Sequence, residues 1–272
     1  MARRLVTTAL IVSVLLLMGL ASGCVRRESK AGASITLAGS TSVQPFAEML
    51  AEEYGKKYPD RSVVYVQGGG SSAGARAAIS GAAQIGMMSR ELAPTEKELT
   101  PIVIAHDAIA LVVHPANPVS QLTKEQVKRV FTGEIVDWSA VGGHSGRINV
   151  VSREEGSGTR GAFDELVLEG ADVAPRAIVQ DSNGAVRQTV SQDKMGIGYI
   201  SLGLVDRTVK AVAVDGVIPT VENTRTGKYT LVRPFLFVYK GHMVPDAEAF
   251  ADFVLGDEGK KVLASEGLVT SK

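Results

Sequence analysis

Three stretches of the chain share one design, running from an apolar strand pattern through glycine and hydroxyl residues into a helix pattern. They are LAGSTSVQPF, VQGGGSSAGA and VSREEGSGTRGAF, which begin at Leu37, Val66 and Val151. The first turn of a helix has amide N–H groups without partners and carries partial positive charge, and glycine lets the backbone approach a bound group. Because ligands of open α/β sheets bind at the carboxyl ends of strands, three such turns indicate an anion-binding site. For any single turn, the alternative is that its Ser or Thr only caps the helix.

Beyond residue 34, short β-rich segments alternate with amphipathic helix patterns, which predicts an α/β fold. The predicted strands are 35–39, 63–67, 84–89, 109–115, 148–152, 196–201 and 233–240. The predicted helices are PFAEMLAEEYGKKYP, SAGARAAISG, TKEQVKRVFTG, a stretch through Phe163, Leu166 and Val167, AVRQTVSQ, and DAEAFADFVLGDEGKKVLASEG with a break near Gly256. A hydrophobic content of 45% is enough for a sizeable core.

The first 23 residues have the pattern of an export signal, with a positive start at Arg3 and Arg4, an apolar run, and small residues before Cys24. We therefore predict a lipoprotein signal peptide over 1–23, lipidation of Cys24, and a polar tether over 24–33. An ordinary signal peptide with an incidental cysteine and a transmembrane anchor are the alternatives. Since Cys24 is the only cysteine, no intramolecular disulfide can form.

Several functional classes are disfavoured by what the sequence contains. The formal net charge is +0 and no basic tract is present, so nucleic acid is not an expected partner. The four histidines are scattered singly and no GxxxxGK[ST] motif occurs, so we expect no metal, nucleotide or other cofactor. One enzyme alternative remains, because residues 70–74 match the GxSxG nucleophile motif and Ser71, within that match, is the candidate nucleophile. No histidine is placed as its base, which disfavours a serine hydrolase.

Two arginines at strand ends are candidates to pair with an oxyanion. Arg153 ends the strand INVVS, four residues before Ser157, and a guanidinium there can bind an oxyanion bidentately. Arg90 ends a further strand and would contribute similarly. The alternative for either arginine is a surface ion pair with Glu154, Glu155 or Glu91.

The ordered motifs GSTSV, GGGSSAG, SRE, FTGEIVDWSAVGG and VVSREEGSGTRGAF resemble the phosphate-binding protein family of bacterial phosphate ABC transporters. The resemblance covers essentially the whole mature chain. It implies a two-lobe, type II periplasmic-binding-protein-like fold with a hinge of crossing strands, IALVVHP and RPFLFVYK. The implied lobes are 34–110 plus 206–272 for lobe one, and 111–205 for lobe two. Mapped residue by residue, the implied phosphate ligands are Thr41, Ser42, Ser71, Ser89, Arg153, Ser157, Gly158 and Thr159.

One departure from the family bears on selectivity. In some members an aspartate stands where this chain has Ser89 and accepts the proton of the ligand, which disfavours sulfate. Asp107, at the start of the crossing strand, would supply that carboxylate, or it only makes a cap or hinge hydrogen bond. We expect Glu155 to be the partner of Arg153.

The resemblance implies a monomeric, lipid-anchored protein of the outer face of the cell membrane or periplasm. It would bind phosphate between its lobes, deliver it to membrane-embedded permease subunits, and catalyse no reaction. A broader oxyanion receptor that also takes sulfate, and a sensor or scaffold without tight binding, are the alternatives.

Overall fold

The computed structural model describes residues 34–270. The predicted signal peptide, Cys24 and tether lie outside the described residues. Within 34–270, no helix is long and apolar enough to span a lipid bilayer.

The described chain alternates strands and helices, as predicted. The strands are β1 Ile35–Gly39, β2 Val64–Gly68, β3 Ile85–Met88, β4 Leu99–Val113, β5 Gln121–Leu122, β6 Asn149–Arg153, β7 Ile178–Gln180, β8 Gly196–Ser201, β9 Lys210–Val214 and β10 Val232–Lys240. The helices are α1 Gln44–Lys57, α2 Ser71–Ser80, α3 Lys124–Phe131, α4 Gly158–Phe163, α5 Asn183–Gln192, α6 Val221–Arg225, α7 Pro245–Leu255 and α8 Asp257–Ser265. A π-helical turn, Asp164–Leu168, continues α4.

The strands form a sheet in the order β2-β1-β3-β10-β4-β8-β6-β7, with β9 beside β4 and β5 beside β9. The strands β1, β2 and β3 are parallel to one another at one end, and β6, β7 and β8 at the other. Between them, β10 and β4 run antiparallel to their neighbours. Both groups of parallel strands therefore present carboxyl ends that lead into helices, where ligands of such sheets bind.

Strand β4 joins the two parallel groups. It has 15 residues, pairs with β10 over residues 99–108 and with β8 over residues 109–113. The prediction of a strand over 109–115 was wrong at both ends. The strand begins ten residues earlier, where polar residues such as His106 obscure the apolar pattern. It ends before Pro115, which has no N–H to donate to a ladder.

The core consists of two main hydrophobic clusters. The first packs α1, α7 and α8 on one end of the sheet and includes Phe46, Phe235 and Phe250. The second packs α3 and α4 on the other end and includes Trp138, Phe163, Tyr199, Val212, Val214, Tyr229 and Leu231. Residues 212–231 thus pack with the second cluster, whereas the sequence assigned 206–272 to lobe one. The cause is β9, which pairs with β4 at Leu111–Val113. The division into lobes itself stays a prediction.

Most predicted helices and strands are confirmed, including the break at Gly256, between Leu255 and Asp257. The sequence missed β5, β7, β9 and α6, each of five residues or fewer. Segments this short contain too few residues to show the periodic alternation of apolar and polar residues that identifies a strand or a helix.

Candidate anion-binding site

The three glycine- and serine-rich turns meet at one place in the structure. Ser42, after β1, lies with its Oγ 2.9 Å from Thr159 Oγ1, after β6. The amide of Ser72, after β2, donates to the carbonyl of Gly156 at 3.1 Å. Turns that are up to about 120 residues apart in sequence therefore form a single cluster of buried hydroxyls and helix starts.

The alternative that these turns are only helix caps is not supported for the second turn, whereas the first and third turns each contain a serine that accepts from nearby amides. Ser157 does cap α4, because its Oγ accepts from the amide of Arg160 at 3.2 Å. Within the described chain, however, the N-cap residues Val43 of α1 and Gly70 of α2 make no side-chain cap. In the described chain, the amides of Ser71 and Ala73 at the start of α2 have no hydrogen-bond acceptor and remain donors for another group. The amides of Ser42, Val43 and Gln44, before and at the start of α1, donate to Ser40.

Arg153 is buried at the centre of the cluster, with only 1% of its surface exposed. Its Nε and Nη2 donate to the two carboxylate oxygens of Glu154 at 2.9 Å, and Nη2 also donates to Thr41 Oγ1 at 3.2 Å. The ion-pair partner is therefore Glu154, and the expectation of Glu155 was wrong. In the part of the chain that the structure describes, Nη1 is buried and has no hydrogen-bond partner.

Tyr199 holds the backbone of Arg153 in place. Its hydroxyl accepts from the Arg153 amide at 3.3 Å and lies 2.8 Å from Ser152 Oγ. Its ring stacks on Phe163 with ring centroids 4.1 Å apart. Burial raises the pKa of Tyr199 to about 12, so the hydroxyl keeps its proton at neutral pH.

A second buried arginine, Arg233, lies beside the cluster and was missed as a site residue. Arg233 and Asp107 face each other across the β4–β10 pairing, and Arg233 Nη2 donates to Asp107 Oδ2 at 2.9 Å. The guanidinium also donates to Ser42 Oγ at 3.1 Å and to the Ser89 carbonyl at 3.3 Å. The sequence did contain a signal for this pair, because Asp107 and Arg233 are each a charged residue inside an otherwise apolar strand. Buried charges need partners of opposite charge.

Asp107 is engaged by protein groups on both oxygen atoms. Oδ1 accepts from Ser201 Oγ at 2.9 Å, and Oδ2 accepts from Arg233 Nε and Nη2. Burial raises the pKa of Asp107, and the adjacent Arg233 guanidinium opposes that rise. A group that accepts this many hydrogen bonds is a carboxylate, so the pair is ionic.

Asn183, the first residue of α5, is a further buried member of the cluster. Its Nδ2 donates to Ser42 Oγ at 2.8 Å and to Thr41 Oγ1 at 3.3 Å. Its Oδ1 accepts from the amide of Ser201 at 3.1 Å. No sequence signal identified Asn183, because asparagine at a helix start is ordinary.

Ser71 and Ser89 are buried in the cluster, whereas Arg90 is engaged elsewhere. The Ser89 amide donates to Ser71 Oγ at 3.1 Å, and Ser89 Oγ accepts from Ser40 Oγ at 2.9 Å. Arg90 instead makes a bidentate ion pair with Glu96, with both nitrogen–oxygen distances 2.7 Å. The ion-pair partner of Arg90 is thus Glu96, which is not among the acidic residues named in the sequence analysis.

The GxSxG match has a packing explanation. A Cβ on Gly74 would lie 2.6 Å from the Ala38 carbonyl oxygen, so the glycine lets α2 pack directly on β1. The serine at the centre of the match is Ser72, whose Oγ accepts from Arg90 Nη2 at 3.3 Å, and the Ser71 hydroxyl contacts Ser89. Among the described residues, neither hydroxyl has an imidazole as a hydrogen-bond partner. The geometry does not favour a serine hydrolase.

Comparisons with known proteins agree on one family. The model of the PBP superfamily domain matches residues 25–258. The chain is 32% identical over 252 residues to the phosphate-binding protein PstS of Bacillus subtilis, covering 90% of this chain and 83% of that protein. It is also similar to the crystal structure of a phosphate ABC transporter substrate-binding protein with bound phosphate from Clostridium perfringens. That match has 42% identity and a TM-score of 0.85, and it covers 88% of this chain and 100% of the other. An ABC-type phosphate transport receptor from Vibrio cholerae has 37% identity and a TM-score of 0.73, with the same coverage.

Proposed function

The chain belongs to the PBP superfamily and, within it, to the family of phosphate-binding proteins, and we propose that it binds inorganic phosphate and delivers it to the permease of an ABC transporter. The ligand-binding groups are the hydroxyls and amides of the three turns together with Arg153. They comprise Thr41, Ser42, Ser71, Ser89, Ser157, Gly158 and Thr159. The protein acts by binding and release and catalyses no reaction on its ligand.

The observation that carries the proposal is the buried Arg153. A guanidinium nitrogen without a hydrogen-bond partner in the described chain is unfavourable unless a ligand accepts from it. The same guanidinium contacts Thr41 Oγ1 through Nη2, within a cluster of hydroxyls and helix starts that are also donors, so the acceptor is an anion. The favourable partner for such a donor set is a tetrahedral oxyanion.

We further propose that the two hydrophobic clusters are two lobes, joined where β4 and β10 cross between them. The boundaries then lie at about residues 106–108 and 231–235, where cluster membership changes along each strand. Arg233 and Asp107 sit in these crossings, so they act from the hinge. Arg90 acts through its pair with Glu96 and not as a ligand. Closure follows hinge bending of these strands.

Replacing Arg153 by alanine is expected to weaken phosphate binding at least about tenfold, because a charged hydrogen bond to the ligand is lost. The measurement is calorimetric titration of the mature protein after bound anion has been removed by partial unfolding and refolding. Arg129→Ala is the control, since Arg129 forms an exposed ion pair with Glu134 on the surface. Unchanged affinity in folded Arg153→Ala protein would remove Arg153 from the site. Absence of phosphate binding by the unaltered, folded protein would overturn the proposed function.

We also propose that the protein lies outside the cytoplasm as a monomer, anchored to the membrane by lipid on Cys24. The Cys24→Ser variant, expressed in a bacterium that processes lipoproteins, is expected to move from the membrane fraction to the soluble extracytoplasmic fraction. The physical reason is that the acyl chains attached at this thiol provide the membrane affinity. A Ser22→Ala variant, which keeps the thiol, is the control. Membrane retention of Cys24→Ser would show that another segment holds the protein.

A further inference from the structure

The backbone of Arg153 lies at the point where β6 separates from one of its two neighbouring strands. Strand β6 pairs with β8 over residues 149–150 and with β7 over residues 151–153. The amide and the carbonyl of a strand residue point to the same side of the strand, and successive residues alternate sides. The amide of Glu154 donates toward β7, to the Gln180 carbonyl, so the backbone groups of Arg153 point the other way, toward β8.

Two side chains hydrogen-bond these backbone groups. The Tyr199 hydroxyl accepts from the amide of Arg153 at 3.3 Å, and Arg160 Nη1 donates to the carbonyl of Arg153 at 3.0 Å. A neighbouring strand would offer one acceptor and one donor at the same places. Arg160 and Tyr199 therefore substitute for a strand at the residue whose guanidinium is buried in the cluster.

The side chain of Arg160 is held by protein groups. Its Nε forms an ion pair with Asp164 Oδ2 at 3.4 Å, and its backbone amide donates to Ser157 Oγ at 3.2 Å. The Arg160 side chain is 23% exposed, whereas that of Arg153 is 1% exposed. With Nη1 and Nε engaged by a carbonyl and a carboxylate, Arg160 is placed to hold Arg153 rather than to bind an anion.

Helix α4 links the two restraints on Arg153. Arg160 lies on α4, and so does Phe163, whose ring stacks on that of Tyr199 with ring centroids 4.1 Å apart. The side chain of Arg160 reaches back over seven residues to the Arg153 carbonyl, which closes a loop between the end of β6 and the start of α4. The backbone from which the Arg153 side chain extends is thus fixed relative to the third donor-rich turn.

We propose that Arg160 and Tyr199 are positioning residues for phosphate binding, which fix the backbone of Arg153 so that its guanidinium meets the anion. The inference rests on the proposed function and deepens it. The guanidinium lies several bonds from the backbone, so a small rotation at the backbone displaces its nitrogens, and hydrogen bonds weaken steeply as their angle departs from linear. Loss of either restraint therefore weakens the contact between Arg153 and the anion.

A double-mutant cycle, measured by calorimetric titration of the anion-free protein with phosphate, tests the inference. Arg160→Met removes the donor to the Arg153 carbonyl and keeps an unbranched apolar side chain. We expect it to weaken phosphate binding about fivefold in the otherwise unaltered protein, because part of a charged hydrogen bond to the anion is lost. In Arg153→Ala protein no guanidinium remains to be positioned, so the same change is expected to alter affinity by less than about twofold.

Arg187→Met is the matched control. Arg187 also donates to a backbone carbonyl, that of Leu204 at 2.9 Å, and also forms an ion pair with an aspartate, Asp206, at 3.3 Å. Its replacement removes the same charge and the same kinds of contact, but none that involves Arg153. Phosphate affinity within about twofold of the unaltered protein is therefore expected.

The cycle separates positioning from other effects of Arg160. A loss caused by the removed charge or by a loosened fold would be the same with and without the Arg153 guanidinium. Equal losses in the two backgrounds, or a loss below about twofold in Arg160→Met, would overturn the inference and leave the proposed function intact. If Arg160→Met does not fold, Tyr199→Phe, which keeps the stacked ring and removes the hydroxyl, replaces it in the cycle with the same expected dependence on Arg153. Absence of phosphate binding by the unaltered protein overturns the proposed function instead.

Discussion

Replacing Arg233 by methionine is expected to lower the free energy of unfolding by about 3–5 kcal/mol. The change leaves the Asp107 carboxylate buried with Ser201 as its remaining side-chain donor, because the guanidinium that contacts Oδ2 at 2.9 Å is gone. Both side chains are at most 1% exposed, so water cannot replace the lost partner. Chemical denaturation in phosphate-free buffer measures the effect, since bound anion would add its own stabilisation.

The double variant Arg233→Met with Asp107→Asn is the control for this prediction. Asparagine carries no charge that would be left buried without a partner. The double variant is therefore expected to recover at least about half of the free energy of unfolding that Arg233→Met loses. Arg225→Met removes an ion pair with Glu222 in which both side chains are more than half exposed. It should change stability by about 0.5 kcal/mol or less. A loss below about 1 kcal/mol in Arg233→Met would mean that Asp107 is not held as a buried charge.

Replacing Gly158 by alanine is expected to weaken phosphate binding by about thirtyfold to hundredfold. A Cβ at this position would lie 2.1 Å from Ser71 Oγ and 2.6 Å from Ser89 Oγ, so the turn before α4 cannot approach the other two turns. The fold should survive, because alanine is favourable in a helix and the clash is between turns rather than inside one. Calorimetric titration measures the affinity, and a thermal melt confirms that the variant is folded.

Gly156→Ala is the matched control in the same loop. A Cβ on Gly156 would meet its nearest neighbour, Ser72 Cβ, at 3.9 Å, which is ordinary contact. Phosphate affinity within about threefold of the unaltered protein is therefore expected. Equal affinities for Gly158→Ala and Gly156→Ala would show that the turns need not come this close when the anion is bound.

The strand-to-helix turns were predictable because their chemistry is local. Glycine, Ser and Thr at the end of a strand produce a helix start with free donors wherever the chain carries them. Arg153 was found for the same reason, since it ends a readable strand next to such a turn. The ion pair of Arg90 was not predicted correctly, because Glu96 reaches it through a short 3-10 turn at Pro94–Glu96 that carried no clear pattern.

Contacts between residues that are far apart in the chain could not be predicted from the sequence. Asp107 and Arg233 are 126 positions apart, and their pairing follows from the register of β4 against β10. Asn183 and Ser42 are 141 positions apart, and only the folded chain brings that amide to that hydroxyl. Residues 212–231, which the sequence assigned to lobe one, pack with the second hydrophobic cluster because β9 pairs with β4, a contact that is likewise non-local.

By itself, therefore, the sequence determined the α/β class, the three donor-rich turns and the place of Arg153 beside one of them. The reason is that hydrophobic periodicity, turn chemistry and helix starts all depend on residues that are neighbours in the chain. The tertiary structure alone decided which acceptors near those donors are already occupied. A hydrogen bond consumes a lone pair only when two groups meet in space, and for Asp107, Glu154, Thr41 and Ser42 that meeting depends on how strands and turns pack.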